Sequence, residues 1–377
     1  MKLIKRIAQK NIEKELFKGR VIVIYGARQV GKTTLAKEIL AKYHDDGVYI
    51  NCEQNEVRQG LSVRSAERIK AFIGNKKLVI LDEAQQIPEI GLILKLMVDT
   101  YPEMQIIATG SSSFELMNSV GEPLVGRASW FTLYPISIEE VEQDKTLFGV
   151  EAHLEHMMRF GSYPAICFEP EEDAIRKLDA LASGYLYKDV LAFEGILKSG
   201  ILVKLTQLLA LQVGNEVSLS ELATVLGISR QSVSKYIDIL EKSFIIFRLR
   251  ALSRNLRKEI AKSEKVYFYD LGIRNAVIRN YNPLAMRNDV GALWENLMIV
   301  ERMKRNSYHG HFANIYFWRT YDQKEIDLIE EYGGRLQGYE FKWGNATARV
   351  PKLFIETYKD ATWQLVNRNN YWDFIGK

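Results

Sequence analysis

The sequence predicts an α/β protein: a doubly wound parallel sheet over about the first 145 residues, with helical and mixed segments behind it. Three observations carry this. Four apolar runs, VIVIY at 21–25, GVYINC at 47–52, LVIL at 78–81 and MQIIATG at 104–110, alternate with helical stretches; continuous apolar strands separated by helices mark a parallel sheet covered on both faces. Beyond residue 145 the pattern turns mainly helical. From about 285, strands return beside one long amphipathic stretch.

Taken in order, apolar residues Leu3, Ile4, Ile7, Ile12 and Leu16 lie at helical spacing and predict a helix leading into the first strand. The sheet ends after WFTLYPIS at 130–137, giving a first domain over 1–145. A helical lid or connector follows over 146–215, through the GSYPA turn at 161–165 and GYLYKDVLAFEGI at 184–196. Residues 216–284 carry a helix-turn-helix pattern and then FIIFRLRAL, the strands of a wing. Residues 285–377 form a small α/β domain with strands near IYFWR, EIDLIEEY and LQGYEFKW.

Composition bounds the class. With 377 residues, 47% hydrophobic and 26% charged, the chain is long enough for two or three packed domains. A formal charge of +4 announces no polyanion partner by itself. Cys52 and Cys167 match neither metal-ligand nor redox spacing, which favours a reducing compartment. The charged amino terminus and short apolar runs predict no membrane segment and a cytoplasmic protein.

The chemistry concentrates after the first strand. Gly26, Ala27, Arg28, Gln29, Val30, Gly31, Lys32 and Thr33 fit G-x-x-x-x-G-K-[ST], and the helical run that follows begins Thr33-Thr34. Glycines let such a loop expose backbone N–H groups, and the helix N-terminus adds partial positive charge, so together they cradle phosphates. Lys32 is expected on the β/γ-phosphates of ATP and Thr33 on Mg2+. Asp82 and Glu83 close the apolar strand LVIL; at the carboxyl end of a buried strand, Asp82 suits the Mg2+ shell and Glu83 the attacking water. Ser111, in TGSSS, is a candidate polar helper. Arg127, in VGRAS, is a candidate to neutralise transition-state charge in cis or from a neighbour in a ring; a surface arginine before a strand is the plainer alternative.

These residues resemble those of the AAA-type P-loop ATPases of bacteria and archaea that carry a fused carboxy-terminal domain of uncharacterised function. The resemblance rests on GARQVGKTTL at 26–35, VILDEAQ at 79–85, TGSSS at 109–113, VGRA at 125–128, GSYP at 161–164 and KVYFYDLGIRNAV at 265–277. Ser162 stands where a second glycine is expected. The resemblance implies ATP binding, slow hydrolysis and a role in DNA transactions or genome defence. Homo-oligomers follow from it as well.

Two carboxy-terminal patterns point towards nucleic acid. In SLSELATVLGISRQSVSKYIDILEK, Ser218 and Glu221 read as a capping box and Gly227 as the turn, while Val233, Tyr236, Ile237 and Leu240 form the apolar face of the second helix. Arg230, Gln231, Ser234 and Lys235 then face outward as candidate contacts to duplex DNA. Arg248, Arg250, Arg254, Arg257, Lys258, Lys262 and Lys265 outnumber Glu259 and Glu264, giving a candidate phosphate-tracking patch in which Arg254, Arg257 and Lys258 are the expected contacts. A winged helix also serves as a protein-interaction module, so a protein partner is the alternative. Further on, Asp327, Glu340 and Lys342 on two hairpin-paired strands, with Glu295 on the preceding helix, resemble the PD-(D/E)xK restriction-endonuclease-like site, in which acids bind Mg2+ and a lysine activates water. The plain alternative is cross-strand ion pairs.

Overall fold

The computed structural model describes residues 4–110, 123–143, 147–184, 199–252, 264–320, 324–344 and 347–376. The expected connector stretch 184–196 therefore lies, beyond its first residue, outside the described residues. Two compact units emerge, one of Met1–Pro135 with Lys242–Phe244, the other of Ile136–Glu241 with Ile245–Lys377. Among the described residues, no helix is long and apolar enough to cross a membrane.

The first unit is built on five parallel strands, β1 (Val21–Tyr25), β2 (Gly47–Asn51), β3 (Leu78–Asp82), β4 (Gln105–Gly110) and β5 (Ala128–Thr132), in the order β2-β3-β4-β1-β5. Every residue of β3 and β4 is buried, which is why the bodies of these strands, Leu78–Leu81 and Ile106–Ala108, are unbroken apolar runs rather than alternating. The helix Ile90–Thr100 shows the complementary logic: Ile90, Ile93, Leu94, Met97 and Val98 are buried, an i, i+3, i+4, i+7, i+8 stripe facing the sheet core. It stops at Tyr101, because Pro102 disfavours helical geometry in the residue before it. Each such buried aliphatic side chain contributes roughly 1.5–3 kcal/mol. The strand order matters for function. It sets the carboxyl ends of β3, β4 and β1 side by side, where open α/β sheets bind their ligands.

The second unit begins with the helix Ile138–Glu142, whose first turn is closed by a full capping box: the Glu140 N–H donates to Ser137 Oγ and the Ser137 N–H to Glu140. Longer helices span Leu147–Phe160, Glu171–Gly184, Ser199–Leu211, Leu219–Leu226, Arg230–Lys242 and Val290–His309. A three-stranded antiparallel sheet, β6 (Glu216–Val217), β7 (Ile246–Arg250) and β8 (Glu264–Phe268), runs in the order β6-β8-β7. A four-stranded sheet, β9 (Asn314–Arg319), β10 (Glu325–Tyr332), β11 (Arg335–Phe341) and β12 (Thr362–Val366), runs β12-β11-β10-β9, with only the β11–β12 pair parallel. A parallel bridge between Ala251 and Phe317, with the Leu252 N–H donating to Phe317 O at 2.7 Å, stitches the end of β7 to β9.

Two sequence blocks without evident chemistry acquire a structural reason here. Gly161 has φ +77°, and a Cβ on it would meet Asp270 Oδ1 at 2.0 Å. The Asp270 carboxylate accepts from the Ser162 N–H at 2.7 Å and from the Ile273 N–H at 3.1 Å, capping the helix Leu271–Val277. The GSYP turn and the YDLG block are thus one joint, in which Asp270 satisfies the backbone of both.

Candidate functional site

Gly26 leaves β1 at φ +150°, and a Cβ there would lie 2.1 Å from Leu133 O at the exit of β5. Only glycine fits. Gln29 and Gly31 also hold positive φ, at 61° and 98°, so the chain between Gly26 and Lys32 is coiled tightly and delivers the start of the helix Lys32–Leu40 with no side chain capping it. Lys32 is buried, and its Nζ donates to Gly26 O at 3.0 Å and Ala27 O at 2.8 Å. Ala27 and Val30 are buried, Arg28 and Gln29 exposed, and Thr34 exposed on the helix.

Thr33 meets Asp82. The threonine hydroxyl lies 3.0 Å from Oδ1 and 2.9 Å from Oδ2 of the carboxylate, which ends β3. Two further hydroxyls converge on the same group: Tyr49 on β2 donates to Oδ2 at 2.6 Å, and Thr109 on β4 donates to Oδ1. Burial, together with the Asp82 charge, pushes the Tyr49 phenol well above its ordinary pKa, and the Cys52 thiol up to about 12. Both stay protonated, and Tyr49 remains a donor. Glu83 sits in the left-handed region at φ 53°, costly for a residue with a Cβ, and its N–H donates to Thr109 Oγ1 at 3.2 Å. The donor chemistry fits a triphosphate with Mg2+: a buried ammonium, an uncapped helix start, and a hydroxyl paired with a carboxylate.

Tyr49 and Thr109 do not stand out in the sequence as site residues. Thr109 carries a signal of sorts, since it opens TGSSS on a strand beside β3. Tyr49 carries none, because only the pairing of β2 with β3 brings it to Asp82.

Ser111 lies outside the described residues. Arg127 is described, and it lies away from the loop. Its carbonyl accepts from the Val21 N–H at the amino ends of β1 and β5, about 16 Å along the strands from Thr132, taking five residues at ~3.3 Å each. Its guanidinium pairs with Asp99 at 2.7 Å. That geometry removes the cis role for Arg127 at its own chain's phosphates.

In the second unit, Ser218 Oγ accepts from the Glu221 N–H, and Gly227 closes the helix Leu219–Leu226 at φ +65°. Arg230, Gln231 and Lys235 are exposed on the next helix and Ser234 is half-buried. Val233, Ile237, Ile239 and Leu240 are buried, whereas Tyr236, expected on the apolar face, is only half-buried. Arg254, Arg257 and Lys258 lie outside the described residues. The basic stretch is corrected at its ends: Arg248 is held by Asp238, Glu241 and Glu264, Arg250 by Glu264, and Lys265 is buried. Arg248 and Lys265 are thus spent on carboxylates of the same unit, whereas Arg250 keeps an exposed side chain with one surface pairing at 3.5 Å.

The second unit also gathers the four residues expected to form a nuclease-like site. The β10–β11 ladder carries Asp327 and Glu340 on adjacent strands; Asp327 Oδ2 accepts from the Phe341 N–H at 2.8 Å, and Lys342 Nζ reaches Glu340 at 2.7 Å. Burial drives the Asp327 carboxyl well above the ordinary range, and the charges of Glu295 and Glu340 add to it. Burial likewise raises Glu295, with Lys265 opposing. Two groups from β8 complete the cluster. Lys265 Nζ is 3.3 Å from Glu295 Oε1 and also pairs with Glu325, and the Tyr267 hydroxyl donates to Glu295 at 2.5 Å. Glu295 and Glu325 face the Lys265 ammonium and Glu340 faces that of Lys342, so these acids are already balanced by cations and do not fit the divalent metal that the resemblance implies; among the described residues no three His, Cys, Asp or Glu side chains are grouped to hold a metal ion.

Comparison with known proteins follows these units. A family model described as an AAA domain matches residues 18–142, and two models described as domains of unknown function match 151–284 and 290–370. An uncharacterized protein of Mycobacterium tuberculosis is 26% identical over 342 residues, covering 90% of this chain and 74% of its own. An uncharacterized protein of Methanocaldococcus jannaschii is 26% identical over 324 residues, covering 80% and 70%. Among solved structures, the Pif1 helicase from Candida albicans aligns with a TM-score of 0.27 at 16% identity, over 48% of each chain. The parallel sheet and the AAA match give the first unit a P-loop NTPase α/β fold and support an AAA-type ATPase.

Proposed function

We propose that the chain is a Mg2+-dependent ATPase whose nucleotide state controls a carboxy-terminal region that binds duplex DNA and carries a nuclease-like arrangement of Glu295, Asp327, Glu340 and Lys342. The observation that carries the ATPase reading is the meeting of Thr33 with Asp82 beside the glycine-bounded loop that buries Lys32. In this reading the loop N–H groups and Lys32 bind the phosphates. Thr33 and Asp82 hold Mg2+, which supplies charge neutralisation. Glu83, pinned through its backbone to Thr109, orients the attacking water. Arg127, remote from its own loop, acts on a neighbouring chain in a homo-oligomer.

The DNA reading is supported by the exposed Arg230, Gln231 and Lys235 on a helix that follows a tight glycine turn. A second reading is an ATP-dependent assembly switch acting on a protein partner, without nuclease activity. The neutralisation of Arg248 and Lys265 within the unit favours it. ATP turnover measured with and without duplex DNA separates the two. The expected result is severalfold stimulation of the wild type by DNA, and a Glu83→Gln variant that still binds ATP but turns over at least ~100-fold more slowly, the scale of losing a positioned acid–base group. Turnover indifferent to DNA would pass the lead to the partner reading, and full turnover in Glu83→Gln would remove Glu83 from the mechanism.

A further inference from the structure

The acidic cluster of the second unit already contains a cation. Lys265 is 1% exposed, on the middle strand of the three-stranded sheet, yet its ammonium reaches the four-stranded sheet and the long helix: Glu295 at 3.3 Å on Val290–His309, and Glu325 at the start of β10. The centre of the Phe317 ring lies 5.5 Å from it. Burial by itself would depress the pKa of this ammonium, but Glu295, Glu325 and Asp327 together outweigh it and hold the pKa above the ordinary lysine range. The charge is therefore permanent at any physiological pH. An ammonium buried this deeply is tolerated only when carboxylates compensate it, and carboxylates packed this closely need a positive centre among them. Tyr267, two residues along the same strand, adds a hydroxyl to Glu295.

We propose that the Lys265 ammonium, held by Glu295 and Glu325, is the resident cation of the acidic cluster to which Asp327 belongs, filling the role that a divalent metal has in a nuclease-like site, so that the native chain takes no metal there. The inference rests on reading the cluster as nuclease-like, and it adds the identity of the occupant. It also assigns β8 a function: the middle strand of the three-stranded sheet supplies the cation for the acidic centre beside β10.

Counting bound Mn2+ by electron paramagnetic resonance on the full chain, without nucleotide or DNA, tests this. Wild type and Asp327→Asn should bind the same number of ions. Lys265→Met/Glu325→Gln, which removes one charge of each sign and so keeps the balance, should bind one more per chain. Adding Asp327→Asn to that pair should abolish the gain. Ions held elsewhere, including at Thr33 and Asp82, are common to all four proteins and cancel. If Asp327→Asn binds fewer ions than wild type, the native cluster holds metal; the occupant is then wrong while the nuclease-like reading stands. If the paired variant unfolds cooperatively like wild type and gains no ion, the cluster is not a cation site, and both fail. Should the paired variant not fold, Lys265→Gln/Glu325→Gln replaces it, the same gain of one ion being expected and its absence overturning the proposal.

Discussion

Asp82 accepts from three hydroxyls on three different elements, Thr33 after the loop, Tyr49 on β2 and Thr109 on β4. A carboxylate so surrounded has its orientation fixed before any ligand arrives, which is what electrostatic preorganisation requires. Hydrogen bonds to a charged group are each worth roughly 1.5–3 kcal/mol, and because these share one acceptor their effects should not add. Tyr49→Phe and Asp82→Asn are each expected to lower the unfolding free energy in urea by about 1–2 kcal/mol, with the double variant falling short of the sum by at least ~0.5 kcal/mol. Strict additivity would mean that Tyr49 does not act through Asp82. Single residues are also where sequence reading reaches its limit. Lys32, Thr33 and Asp82 are legible because each belongs to a local pattern with a known physical purpose. Lys265 looks like one more surface cation, since the carboxylates that bury it lie 30 and 60 positions further along.

At the level of elements, β1, β3 and β4 are legible because burial on both faces writes itself as an apolar run, and the edge strand β2, mostly half-buried, is legible from its shorter apolar core. The joint between GSYP and YDLG is not, because its meaning is the distance between Gly161 and Asp270 and not the composition of either block. Two glycines in the same left-handed conformation separate the contributions. At Gly227 an added Cβ would meet nothing within 4 Å, so Gly227→Ala should cost only the backbone penalty, about 1 kcal/mol. Gly161→Ala adds a collision with a buried carboxylate and should cost at least ~3 kcal/mol. Thermal unfolding of the two variants side by side checks this; similar losses would show that the Asp270 contact yields easily. The capping box of Ser137 and Glu140 is a local pattern too, but its serine closes the apolar segment WFTLYPIS and so reads first as the end of a strand.

For the molecule as a whole, a formal charge of +4 says little about DNA; what matters is which cations remain unspent. With Arg248 and Lys265 neutralised within the second unit, the burden among the candidate cations described falls on Arg230, Lys235 and the exposed Arg250. Lys235→Ala should therefore weaken duplex binding and reduce the slope of log K against log salt by about one, whereas Arg248→Ala, at a charge already held by three carboxylates, should leave the slope unchanged. Equal slopes for wild type and Lys235→Ala would turn attention to a protein partner. The stitch between Ala251 and Phe317, together with Lys265, ties two separately matched domains, 151–284 and 290–370, by a backbone bridge and a buried charge balance. Cutting the chain between them would strand Glu295 and Glu325 on one fragment and their ammonium on the other, so neither fragment should be soluble when expressed alone.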